Sequence, residues 1–212
     1  MGAIDYLTEE QLVALYGTFD RDTPTGCRNF AIVRLMAESG LRVGDIIKLR
    51  VDDVRRQNGQ ITHVRLVGRK GGQERMQKVQ SWTGAALAGW CNMRTGIYNE
   101  KRIRGSVLFC TISQGQATGF GEGGKLHPGN ALSRNYIWQF VKRAGEEIGI
   151  QGLHPHILRH TAITMFYHQC RDVAKTQLFA QHKNVATTMD IYVHTSPAEV
   201  DEVLMSMREP GS

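Results

Sequence analysis

Residues 51–80 read VDDVRRQNGQITHVRLVGRKGGQERMQKVQ, and the period of the chain changes there. Asn58-Gly59 lies between VDDVRRQ and QITHVRLVG. That pair suits a two-residue hairpin turn, because both central positions need positive φ. A second turn fits Lys70-Gly71-Gly72, ahead of ERMQKVQ. Glycine allows the chain to reverse there without steric cost. Three short antiparallel strands are therefore predicted.

On either side of this sheet the pattern is helical. Thr8 opens a helix with a capping box, since TEEQ puts Gln11 three residues after the cap. Leu12, Leu15 and Tyr16 follow at helical spacing. Asp20 to Gly26 reads as a loop, and a second helix is expected from about Arg28 to Ser39, stopped by Gly40. A short helix should follow from about Val43 to Leu49. Beyond the sheet, Thr83 reads as the cap of a helix reaching Arg94, and Val107 to Ile112 as a short extended piece. Ser113 to Gly129 is Gly-rich and polar, hence a loop. Helices are then expected at 133–148, 155–170, 172–181, 185–192 and 197–207. The fold class is α+β and mainly helical, a helical bundle with one small three-stranded antiparallel sheet.

The bulk numbers fit one good-sized domain of 212 residues. No apolar run is long enough to span a bilayer, and the first ten residues make no secretory signal. A cytoplasmic protein, associated with the nucleoid when it acts on DNA, is the expectation. The four cysteines, Cys27, Cys91, Cys110 and Cys170, form no CxxC pair and read as free thiols.

The net charge is +6, and it is unevenly spread. Between Ile61 and Ser106 nine basic residues face two acidic ones, a surplus larger than that of the whole chain. After His194 the balance turns acidic, with Glu199, Asp201, Glu202 and Glu209 against Arg208. A basic middle suits a polyanion. A set of merely solvated faces explains the charge equally well.

Cutting a phosphodiester without a metal needs three things. Fixed cations must meet the charge that builds on the non-bridging oxygens. Arginine suits this, because its planar fork grips a phosphate with two hydrogen bonds and stays protonated. A proton donor must serve the leaving oxygen, and a nucleophile must sit in line with it. Four segments hold such groups. ESGLRVGDIIKLRVDDV places Arg42 just after a glycine, GRKGGQER presents Lys70 at a turn, HPHILRHTAIT sets His156 and Arg159 on one helix face, and FAQHKNVATTMDIYVHT puts His182 ten residues before Tyr192.

Each residue has a plainer reading. Arg42 could be a surface residue, Lys70 a solvated loop lysine, His182 a capping histidine and Tyr192 a packed aromatic. His154, His156 and His160 raise zinc binding, but no cysteine or glutamate follows in the expected pattern.

Together, the four segments resemble the signature boxes of the tyrosine recombinase (phage integrase) family, in order and in spacing, from Arg42 to Tyr192. The resemblance implies that family's catalytic-domain fold. It implies catalytic roles for Arg42, Lys70, His156, Arg159, His182 and Tyr192, and an acidic partner of the first arginine at Asp45. The arginines would clamp the scissile phosphate and the two histidines complete the cradle. Tyr192 would form a 3′-phosphotyrosyl link, and Lys70 would protonate the departing 5′ oxygen. Arg69 and Arg75, beside the hairpin tip, would meet DNA phosphates. No metal, ATP or other cofactor is implied. The partners would be double-stranded DNA and further copies of the chain, with no membrane and no small-molecule substrate.

Two departures stand out. Ala180-Gln181 precedes His182 where the family usually has Leu-Gly, and the step from His182 to Tyr192 is ten, where nine is also common. Only about forty residues precede Arg42, too few for the family's N-terminal core-binding domain. Residues 1–212 are therefore expected to be a single catalytic domain. Residues 196–212 read as an amphipathic tail, with Val200, Val203, Leu204 and Met207 on one side. In the family such a helix often docks on a neighbouring protomer in a tetramer; packing on its own domain fits equally. A type IB topoisomerase-like nicking and closing enzyme, a non-catalytic DNA-binding protein and a metal-dependent nuclease are the rival functions.

Overall fold

The computed structural model describes residues 5–67, 74–101, 106–112 and 129–181. Among them the chain forms seven α-helices and one three-stranded antiparallel sheet of order β1-β2-β3. Its contacts divide it into two compact units, one up to Ala162 and one from Ile163.

The first unit starts with α1 (Glu9–Gly17), whose capping box forms as read. The Thr8 hydroxyl accepts from Gln11 N at 3.2 Å, and the Gln11 side chain accepts from Thr8 N at 2.9 Å. Helix α2 runs Pro24–Ser39, about a turn longer than the sequence reading. Pro24, taken there as a loop residue, sits in the first turn, where its missing N–H has no partner to lose. Thr23 caps it, accepting from Gly26 N at 3.1 Å. Eleven of the sixteen α2 residues are buried, so this helix is central rather than amphipathic. Gly40 ends it in the left-handed region at φ 63°, a conformation that costs glycine little.

Helix α3 (Val43–Ile46) is a single turn, shorter than expected. The three antiparallel strands form as expected, and the second predicted turn, at Lys70-Gly71-Gly72, lies outside the described residues. Strands β1 (Val54–Gln57) and β2 (Gln60–Leu66) join through Asn58 and Gly59, both at positive φ, with a register shift between Arg55 and Arg56. Strand β3 (Arg75–Lys78) pairs with β2 so that Arg75 faces Leu66.

Helix α4 (Ser81–Lys101) starts before Thr83 and runs past Arg94. Thr83 is no cap. It is buried inside the helix, and its hydroxyl donates to the Glu38 carboxylate. Glu38 also accepts from the Tyr16 hydroxyl at 2.9 Å and pairs with Arg34 at 3.2 Å, so one carboxylate ties α1, α2 and α4 together. Val107 and Cys110 form isolated bridges, to Arg50 and Ala131, rather than a strand of the sheet. Trp90, Leu87, Ile32, Leu35, Leu41, Ile46 and Phe109 make the buried centre of this unit.

Helix α5 (Arg134–Glu147) is capped by Ser133, and α6 spans Pro155–Cys170. The chain ahead of α1 lies along α6. Leu7 N donates to the Thr161 hydroxyl at 2.9 Å, and the Asp5 carbonyl accepts from His160 Nδ1 at 2.6 Å.

The second unit holds the end of α6 and helix α7 (Val173–Ala180). Asp172 caps α7 by accepting from Lys175 N at 2.9 Å. Phe166 and Phe179 stack with ring centroids 4.4 Å apart, beside buried Ile163 and Ala180. The helices expected at 185–192 and 197–207 lie outside the described residues. Among the described residues, no helix is long and apolar enough to cross a membrane.

Candidate active site

Two turns of backbone bring the two predicted arginines together. Past the left-handed Gly40, the chain turns through Leu41 and sets Arg42 at the N-cap of α3. The Asp45 carboxylate accepts from the Arg42 backbone N–H at 3.3 Å, so the acidic residue fixes the backbone that carries the guanidinium. Arg159 projects from α6, only 3% exposed, and its Nη1 donates to the Gly40 carbonyl. The helix stop that aims Arg42 is thus also the acceptor that orients Arg159.

These residues line a cleft of about 430 Å³. Arg42, Val43 and Gly44 form one side, and His154, Pro155, His156 and Arg159 another. Arg134 and Trp138 of α5 border it, with Met36 from α2. Among the described residues that line it, the wall is rich in cations and has no carboxylate. A group with several anionic oxygens fits that chemistry.

His156 shows the same bias. Much of its ring reaches solvent, yet partial burial holds its pKa below the ordinary histidine value of 6.5. The positive charges of Arg159, His154, His160 and Arg42 push it the same way. A neutral imidazole at neutral pH can both donate and accept a proton.

The structure thus brings together Arg42, His156 and Arg159 of the six predicted catalytic residues. Lys70, His182 and Tyr192 lie outside the described residues, as does Arg69. Arg75 sits half-buried on β3. Its Nη1 donates to the Gln77 side chain at 3.1 Å, and its Nη2 is buried without an acceptor among the described residues. Burial lowers its pKa, the nearby Asp45 carboxylate opposes that, and the nearby Arg42 charge adds to it. Arg75 is thus near enough to Arg42 and Asp45 to feel both charges.

Part of the basic surplus read from the sequence is engaged within the protein. Arg65 pairs with buried Asp53 at 2.8 Å, and Arg94 packs over the Tyr98 ring at 3.7 Å while donating to the Val107 carbonyl. Charge counting cannot separate such residues from those facing a ligand. Sequence reasoning also missed Arg134 and Trp138. Their i, i+4 spacing marks one helix face, but only tertiary packing shows that the face borders this cleft. Among the described residues, no three His, Cys, Asp or Glu side chains gather as a metal site.

The chain is 30% identical over 196 residues to a tyrosine recombinase XerD of Ralstonia nicotianae, covering 90% of this chain and 56% of that one. It is 31% identical over 185 residues to a tyrosine recombinase XerD of Bifidobacterium longum, covering 86% and 54%. The chain spans little more than half the length of these curated relatives. In fold it resembles the XerH site-specific recombinase in a complex with its difH substrate, with a TM-score of 0.74 and 20% identity, over 98% of this chain and 56% of that one. It also resembles the XerA recombinase, with a TM-score of 0.69 and 23% identity, over 99% and 68%. The family model described as the phage integrase family matches residues 5–199, nearly the whole chain, and the chain belongs to that family.

Proposed function

We propose that this chain is the catalytic domain of a site-specific recombinase that cuts and rejoins DNA strands through a 3′-phosphotyrosyl bond to Tyr192. The observation that carries this reading is the paired placement of Arg42 and Arg159 through Gly40, with His156 on the same cleft. Two guanidinium forks around one phosphate meet the charge that grows on its non-bridging oxygens.

In this reading the Tyr192 oxygen attacks phosphorus and the bond from phosphorus to the 5′ oxygen breaks. Lys70 gives the 5′ oxygen a proton. His156, kept neutral at neutral pH, takes up the phenolic proton, and His182 donates to a phosphate oxygen. The phosphotyrosyl bond preserves the energy of the broken link, so a 5′-hydroxyl of another strand can reverse the step. No metal or ATP enters the balance.

The partner is double-stranded DNA. Arg69 meets its backbone beside the Lys70 turn, and Arg75 does so next to Arg42. Residues 196–212 dock on a neighbouring copy, so that four copies act together on two duplexes. The protein works where DNA is, in the cytoplasm and on the nucleoid.

The test uses a pool of nicked duplexes with a randomised centre. The nick lets a short fragment diffuse away after cleavage and traps the covalent intermediate. A protein–DNA adduct that survives denaturation, present with the wild-type chain and absent with Tyr192→Phe, supports the reading. No adduct in any pool fraction overturns it.

A further inference from the structure

The cleft has a wall that the phosphate chemistry above does not use. Helix α5 packs against α3, the turn that carries Arg42. From α5, Arg134 and Trp138 border the same cleft as Arg42, His156 and Arg159. They stand four residues apart, so their side chains lie one above the other on one helix face.

Both side chains are exposed, which is unusual for an indole. Trp138 is 41% exposed, and its indole N–H has no protein acceptor among the described residues. The Lys142 Nζ lies 5.7 Å from its ring centroid. Arg134, by contrast, makes neither an ion pair nor a hydrogen bond with any described residue. A large apolar ring left at the mouth of a cation-lined cleft favours a ligand with both an apolar face and anionic oxygens. A nucleotide unit has both, in its deoxyribose and its phosphate.

We propose that Arg134 and Trp138 form a nucleotide-binding wall beside the cleaved phosphate. Trp138 packs on the deoxyribose next to that phosphate, and Arg134 grips the following phosphate along the same strand. The wall sets the register of the strand, so that one phosphate and not its neighbour lies between Arg42 and Arg159. This rests on the reading of the cleft as a DNA phosphate site, and it adds two residues and a role to it.

The experiment measures binding of an unselected duplex, of the pool length, by the wild-type chain and the Trp138→Ala, Trp138→Phe and Arg134→Gln variants across a salt series. Trp138→Ala should weaken binding by about tenfold, in the range that aromatic contacts with nucleic acid contribute, with Trp138→Phe recovering most of it. Arg134→Gln should lower the slope of log affinity against log salt by about one, the signature of one lost phosphate contact. Intrinsic fluorescence of the wild-type chain should be quenched by the duplex, and that quenching should be lost in Trp138→Phe. The wall is overturned if Trp138→Ala binds like the wild type and its fluorescence change persists in Trp138→Phe, or if the salt slope of Arg134→Gln is unchanged. None of these readouts needs a covalent adduct, so failure of the wall and failure of the phosphotyrosyl reading show up separately.

Discussion

Arg159 donates through Nη1 to the carbonyl of Gly40, the left-handed residue that ends α2 two positions before Arg42. One backbone carbonyl thus couples the placement of two guanidinium groups far apart in sequence. The contact is buried, with Arg159 only 3% exposed, so the Arg159 arm is not free to wander in solvent. Pre-set donors of this kind stabilise developing charge without reorganising at the moment of reaction.

Arg159→Lys tests that coupling. Lysine keeps the charge but loses the planar fork, so it cannot hold Gly40 and a phosphate in the same geometry. Single-turnover adduct formation is expected to fall by about 10²-fold or more. A rate near that of the wild type would mean that charge alone suffices.

The pH dependence follows from His156. Burial disfavours its protonated form first, and the nearby Arg159, His154, His160 and Arg42 add to this, so its pKa lies below 6.5. Adduct formation should therefore rise with pH, reach half its plateau below 6.5 and be fully developed at neutral pH. The linkage to stability has the same sign. As pH falls through 6.5 the unfolded chain takes up this proton first, and the folded state loses ground until the lowered pKa is passed. Urea midpoints of the wild type and of His156→Gln, compared between about pH 5 and 8, should converge at the alkaline end.

Gly84 offers a stability test away from the cleft. A Cβ on Gly84 would lie 2.2 Å from the Ile61 carbonyl oxygen, where α4 crosses β2. Backbone on both sides must shift to admit it, so Gly84→Ala should cost about 1–3 kcal/mol, read from a denaturant midpoint at unchanged m-value.

Much of this was legible in the sequence where the signal is local. Asn58-Gly59 specified its turn because only two residues are involved and both need positive φ. The Thr8–Gln11 box and the Gly40 stop were local in the same way. Pro24 misled, because proline breaks a helix interior but suits its first turn, and the two cases look alike until the helix start is known. Thr83 misled for a related reason. A threonine near a helix start reads as a cap, whereas its hydroxyl answers Glu38, distant in sequence. At the site, the resemblance to the family's boxes singled out Arg42, His156 and Arg159, and the structure places all three on one cleft. The Gly40 contact, the half-burial of Arg75 and the place of Arg134 and Trp138 on the cleft are tertiary facts with no local trace.

Contact with the DNA backbone gives another prediction. Arg69→Gln should lower the salt slope of duplex binding by about one and weaken binding to all sequences alike, because phosphates carry no base identity. A loss confined to particular sequences would point instead to base contacts.

The most direct measurement is mass spectrometry of the peptide that keeps a nucleotide after the trapped adduct is digested with nuclease and protease. The account predicts one modified peptide, containing Tyr192, with the phosphorus bridging the phenolic oxygen and the 3′ oxygen of the sugar. A nucleotide on any other residue, or a 5′ linkage at Tyr192, would contradict it.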